Sequence, residues 1–163
     1  MNTGIFGGVV VFFWQIISWM ALPWHAWTYK KFISQSAVVN CLRENAPSSG
    51  IYVAEKGSLV FTSIDLNSSG GMSVFNFIFS LVFQIIAGFI IAWLLSQSKI
   101  NNYMKRVGFV TGIGAVVAVL AYLPPWNWYH FSTAYTFVNF FDMIISWFLA
   151  GLVMAKYAKK SFL

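Results

Sequence analysis

The chain has 163 residues, 59% of them hydrophobic and 9% charged, with a formal net charge of +6. An ordinary soluble domain carries roughly a quarter charged residues, so this composition, with a mean hydropathy of +0.71, excludes a water-clothed globule and points to a membrane protein. The basic residues flank the apolar runs, which makes them topology determinants and argues against a nucleic-acid partner; the single cysteine, Cys41, excludes an intrachain disulfide and dithiol chemistry.

A hydrocarbon core about 30 Å thick takes roughly 20 apolar residues as a helix. The first such run, Ile5–Trp27, lacks a basic leader and a small-residue cleavage site, so it is expected to remain as a permanent span. Gln15, Ser18, Leu22 and His25 share one face of it, and Pro23 is expected to kink its outer end.

Residues 28–72 are too many for a plain connector and too few for an independent core. Apolar positions from Ile33 to Leu42 follow a helical period that Asn45, Pro47 and Gly50 end. Ile51–Ala54 and Leu59–Ile64 then read as two strands around a Lys56-Gly57 turn. An isolated hairpin is marginal in water, so helix and hairpin are expected to lie on the outer end of the spans as a small α/β cap. Asn67-Ser68-Ser69-Gly70-Gly71 reads as a flexible lead that also matches a glycosylation sequon.

The second run, Ser73–Leu95, carries Asn76, Ser80, Gln84, Gly88 and Ala92 at four-residue steps, a small and polar face continued by Ser96. The third, Val107–Leu123, is expected to stop at Pro124-Pro125, leaving a rigid, extended outer turn that bears Trp126, Asn127, Trp128, Tyr129 and His130. The fourth, Phe131–Ala155, aligns Tyr135, Asn139, Asp142 and Ser146 on one face. Asp142 is the only acid inside any run, and an ionisable group at bilayer depth marks a functional site by default.

The expected fold is therefore a single all-α integral membrane domain, a four-transmembrane-helix bundle with an extracytoplasmic cap between helices one and two. Lys99, Lys105 and Arg106 between spans two and three, and Lys156, Lys159 and Lys160 after span four, put both termini in the cytoplasm of a plasma membrane, expected to be a bacterial inner membrane. Lys30 and Lys31 oppose this orientation. Four-residue pairs of small residues, Gly4/Gly8, Gly88/Ala92, Gly108/Gly112 and Gly151/Ala155, fall in the cytoplasmic half and should let backbones approach there. Bulky rings crowd the other half, so a wedge that widens toward the outside is expected.

Two candidate sites follow. Counting roughly 1.5 Å per residue from the outer ends places Gln15, Gln84, Thr111 and Asp142 in one layer near the midplane. With Asn139, Ser80 and Ser146 they are expected to form an intramembrane polar layer, whose competing explanation is interhelical hydrogen bonding with no further role. The second is an outer pocket of His25, Trp24, Trp27, Trp126, Asn127, Trp128 and His130, whose competing explanation is an interfacial aromatic belt. The shared depth of His25 and His130 leaves room for haem b or a metal, although two histidines without ligand-type spacing are weak evidence and no cofactor is the working expectation. No Ser-x-x-Lys, Gly-x-Ser-x-Gly or phosphate-loop context occurs, which argues against an enzyme.

The layout is similar to claudin-like tetraspans in architecture alone; their paired outer cysteines are absent, so nothing functional is implied. The leading functional expectation is a binding or accessory protein that holds an apolar ligand, a lipid or a partner subunit at the outer pocket. The alternatives are a homo-oligomeric transporter or channel using Asp142, and a haem or metal redox protein using His25 and His130.

Overall fold

The computed structural model describes residues 2–67 and 71–158. Lys159, Lys160 and the Ser68-Ser69-Gly70 part of the lead and sequon lie outside the described residues. The chain divides into two compact units, one made of the segments up to Thr28 and from Ser73 onward, the other of Tyr29–Met72.

In the smaller unit, α3 spans Gln35–Asn45, started by Ser34, whose hydroxyl accepts from the Ala37 amide at 3.3 Å. Strands β1 (Gly50–Ala54) and β2 (Val60–Ile64) pair antiparallel with Gly50 opposite Ile64 and Ala54 opposite Val60. Gly57, in the connecting turn, has φ +83°, a conformation that favours glycine. The expected helix and hairpin are thus both present, each within a few residues of its anticipated ends.

The larger unit holds four helices long and apolar enough to cross a membrane: Asn2–Ala21, Val74–Gln97, Tyr103–Trp128 and Thr133–Tyr157. They are α1 (Asn2–Ile16) with its continuation Ile17–Ala21, α4 (Val74–Gln97), α5 (Tyr103–Trp128) and α6 (Thr133–Tyr157), with a short α2 at Trp24–Thr28. Side-chain caps open three of them. Ser73 and Asn76 make a reciprocal capping box at α4, Asn102 caps α5 and Ser132 caps α6. The helices pack in series, α5 on α6, α6 on α1 and α1 on α4, and only sparse contact closes α4 onto α5.

The apolar core joins Val11, Ile91, Leu95, Val110, Trp147, Ala150 and Met154. Glycines set how closely the backbones meet. A Cβ on Gly8 would fall 2.5 Å from the Ile85 Cα, and one on Gly88 would strike the Gly4 carbonyl, so α1 and α4 cross on bare backbone. Gly151 packs similarly on Val107 and Val110.

Three expectations fail here. Gly108 and Gly112 face open space, and the close contacts come from Gly7 on Met154 and Gly114 on Trp147; a four-residue repeat shows that two residues share a face but not which face. The wedge fails too. A cavity of about 880 Å³ lies at the end that carries Asn2 and Tyr157, lined by Asn2, Thr3, Phe6, Trp93, Lys99, Arg106 and Tyr157 among others. Third, Pro124 and Pro125 do not end α5, which runs on to Trp128. A proline pair only removes the amides that would serve the Leu120 and Ala121 carbonyls, and apolar helices tolerate that loss where neighbours compensate. The helix closes beyond them, with the Tyr129 and Phe131 amides both donating to the Pro125 carbonyl at 3.0 and 3.4 Å.

Candidate functional site: a buried acid and histidine

The site begins with a helix that fails at a proline. Leu22 precedes Pro23 and is extended (φ −91°, ψ 138°), as a residue before proline tends to be. In the preceding turn, Ile17–Ala21, the ladder widens to the i→i+5 pattern, and the Leu22 amide donates to the Ile17 carbonyl at 3.1 Å. That shift strands the Ser18 carbonyl. Its α-helical donor, the Leu22 amide, is taken, and its i+5 donor would be Pro23, which has no N–H. The Trp24 indole fills the vacancy, donating to the Ser18 carbonyl at 3.1 Å with a 3.0 Å contact to the Ser18 hydroxyl. Trp24 thereby ties α2 to the Ile17–Ala21 turn, and His25 is brought against α6.

His25 and Asp142, each 2% exposed, meet with Nε2 3.2 Å from Oδ2. The carboxylate also accepts from the Trp14 indole on Oδ1 at 2.6 Å and from the Gln15 amide on Oδ2 at 3.4 Å. Gln15 further donates to the Ser146 hydroxyl at 2.9 Å, and Ser146 donates to the Asp142 carbonyl one turn before it. Trp19 donates to the Gln15 side-chain oxygen at 3.1 Å and lays its ring on the imidazole, with centroids 3.9 Å apart and planes 12° from parallel. Trp24 meets the same imidazole edge-on, and Thr28 anchors α2 by donating to the His25 carbonyl at 2.7 Å.

Three indoles, an amide and a hydroxyl therefore enclose one acid and one imidazole. The Trp14, Gln15 and His25 donors stand where water would solvate a carboxylate, and the stacked Trp19 ring favours the positive imidazole. His25 Nε2 also lies 3.0 Å from the Ser18 hydroxyl. When Nε2 carries a proton it donates to Asp142; when it does not, Ser18 can donate to it. Both states satisfy that nitrogen. Nδ1 of His25 and the hydroxyl of Thr136 are buried without a hydrogen-bond partner among the described residues.

Ser18, His25 and Asp142 are the residue types of a nucleophilic triad but not its arrangement. A triad places acid and nucleophile on opposite nitrogens of the ring, so that a proton gained on one side is balanced on the other. Here both contact Nε2.

Of the anticipated polar layer, the structure joins Gln15, Asp142 and Ser146. Asn139 is buried but donates to the Tyr135 carbonyl of its own helix, and Thr111 likewise turns to Val107. Gln84 is half-buried and Ser80 exposed, and neither reaches the acid. Of the anticipated outer pocket, His25 and Trp24 belong to the inner site. Trp27 is 77% and Trp128 72% exposed, while Trp126 reaches only the Thr133 hydroxyl at 3.3 Å. Asn127 and His130 are exposed, His130 at φ 55° in the link between α5 and α6. No hydrogen bond or ring contact joins His25 to His130, Trp126 or Trp128, and no group of three or more His, Cys, Asp or Glu side chains comes together among the described residues. Trp14 and Trp19 were not anticipated. Their signal was positional, since both lie well inside a span, away from the interfaces where tryptophan is usual.

Comparison with protein-family models, with curated proteins and with solved structures found no match.

Proposed function

We propose that this chain is a proton-handling component of a multi-pass membrane system, in which Asp142 and His25 exchange one proton inside the bilayer. The observation that carries the reading is the buried contact, at 3.2 Å, between His25 Nε2 on the short α2 and Oδ2 of Asp142, which lies midway along a helix of spanning length. Acid and histidine chains at this depth are the usual means of moving or sensing protons in membranes. The proton resides on imidazole or on carboxyl, and the enclosing donors suit both forms. Both termini facing the cytoplasm, from the basic flanks, remains part of this reading.

The test is proton entry into liposomes that contain the protein and a pH-sensitive dye, driven by an imposed membrane potential. Wild type should acidify or alkalinise the lumen with the sign of the potential, and Asp142→Asn should abolish the response. Equal flux in that variant, with its helical content intact, ends the proposal.

A second reading, an accessory protein that holds an apolar ligand, lipid or partner subunit, is supported by the exposed rings of Trp27, Trp126 and Trp128. Trp128→Ala should then weaken retention of co-purifying lipid or protein, and unchanged retention counts against it.

A further inference from the structure

We propose that the cavity at the basic end of the larger unit is a binding site for an anionic phospholipid, with its phosphate beside Lys99 and an acyl chain along Phe89 and Trp93. The site is separate from the buried acid, and from Trp126 and Trp128 at the other end of α5. The cavity, about 880 Å³, is walled by the start of α1, the end of α4, the link to α5 and the end of α6. Its lining changes character along two helices in the same sense. On α1, Asn2 and Thr3 lie at the end and Phe6 about one turn deeper; on α4, Ser96 lies near the end, with Trp93 and Phe89 deeper. From Phe89 to Gln97, α4 covers roughly 12 Å, most of the roughly 15 Å that a single leaflet contributes to a hydrocarbon core about 30 Å thick. That gradient over that length fits a molecule with a polar head and an apolar chain. A free phosphate ion would leave the apolar half of the cavity unused.

The charge at the polar end is one-sided. Lys99 and Arg106 line the cavity, and no acidic side chain is among the described residues that do. Asp142, the sole acid of the larger unit, lies roughly 22 Å from Tyr157 along α6. The two cations differ in how they are held. Arg106 is 6% exposed, with Nε donating to the Ile100 carbonyl at 2.6 Å and a terminal nitrogen donating to the Ala158 carbonyl at 2.8 Å, so its charge is fixed in the wall. Lys99 follows the Ser98 cap of α4 with φ 52° and is exposed, and its ammonium has no hydrogen-bond or salt-bridge partner among the described residues. A fixed guanidinium sets the local potential, and a mobile ammonium with three donors closes on a phosphate oxygen. Basic pockets between spanning helices hold lipid head groups in this way. The Thr3 hydroxyl donates to the Tyr157 carbonyl at 3.2 Å, and the Phe6 and Tyr157 rings meet at 4.9 Å. These contacts tie α1 to α6 at the cavity wall without a ligand.

Native mass spectrometry of the full-length chain in neutral detergent, titrated with phosphatidylglycerol, phosphatidylcholine or inorganic phosphate, tests this. Wild type should retain phosphatidylglycerol in preference to phosphatidylcholine, and inorganic phosphate at the same concentration should not displace it. Lys99→Glu should weaken that retention about ten-fold. Lys105→Glu, the same change on an exposed residue outside the cavity lining, should leave it nearly unchanged. Trp93→Ala, in the apolar wall, should weaken retention of both lipids alike while helical content holds. Equal loss in Lys99→Glu and Lys105→Glu overturns the proposal in favour of attraction by net charge. Displacement by inorganic phosphate overturns it in favour of a soluble anion, and unchanged retention in Lys99→Glu ends it outright.

Discussion

Helices α6 and α4 carry the same kind of pattern with opposite outcomes. Each presents a polar row along one face, Tyr135, Asn139, Asp142 and Ser146 on α6, Asn76, Ser80 and Gln84 on α4. On α6 the row is interior: Asn139, Asp142 and Ser146 are buried, and α1 sends Trp14 and Gln15 to meet the acid. On α4 the buried residues are Gly88, Ile91 and Leu95, toward the other end, while Asn76 and Ser80 are exposed and Gln84 is half-buried beside α1. The difference lies in the neighbours. The α6 helix sits between two others, whereas α4 is the edge of the series, held along α1 at a glycine crossing and by Ile91 and Leu95 in the core. A polar stripe in an apolar helix therefore says that something must cover it, and position in the series says whether this chain supplies the cover.

The comparison is broken most forcefully at the acid. Asp142→Ala leaves the Trp14 indole, the Gln15 amide and His25 without their shared acceptor, and removing one partner of a buried pair costs about 3–5 kcal/mol. Unfolding of the detergent-solubilised variant should show a loss of that size. Next comes the glycine seam. A side chain at position 88 meets the carbonyl of Gly4 and the amide of Gly8, which are backbone and cannot rotate aside. Gly88→Val should cost about 3 kcal/mol, the upper end for overpacking. It should also free α4 without disturbing the acid, because no α4 side chain bonds to it, and unchanged tryptophan emission in the variant checks that separation.

Much of this was legible in the chain. Apolar run lengths gave the four spans, and local cap and turn chemistry marked the small helix and hairpin. The importance of Asp142 followed from solvation alone. Its partner did not. Counting depth along a straight helix puts His25 at the interface, because the count cannot know that the ladder slips at Ile17 and that Trp24, bonding the Ser18 carbonyl, breaks the helix line and turns α2 onto α6. Depth likewise grouped Gln84 and Thr111 with Asp142, since rise per residue fixes level and says nothing of direction. The direction came from which helices adjoin, a long-range fact that no local pattern encodes.

His25→Gln sharpens the account of the inner site at smaller cost. Glutamine keeps a donor for Asp142 but loses the ring that stacks on Trp19, so stability should fall by about 1 kcal/mol, the usual worth of a ring–ring contact. The diagnostic readout is optical. In wild type the imidazole lies 3.9 Å from the Trp19 ring, so its replacement should shift indole emission, and emission unchanged in the variant would count against the stack.

The smallest effect discriminates between two glycines only two residues apart on α5. A methyl group at Gly114 would sit 2.5 Å from the Trp147 Cβ, whereas one at Gly112 meets nothing within 4 Å. Gly112→Ala should therefore gain up to about 1 kcal/mol, because alanine gives up less conformational freedom in a helix. Gly114→Ala must displace α6 and should lose stability. The sign of the Gly112 change is the informative quantity. A loss there would mean that the exposed face of α5 is covered in the membrane.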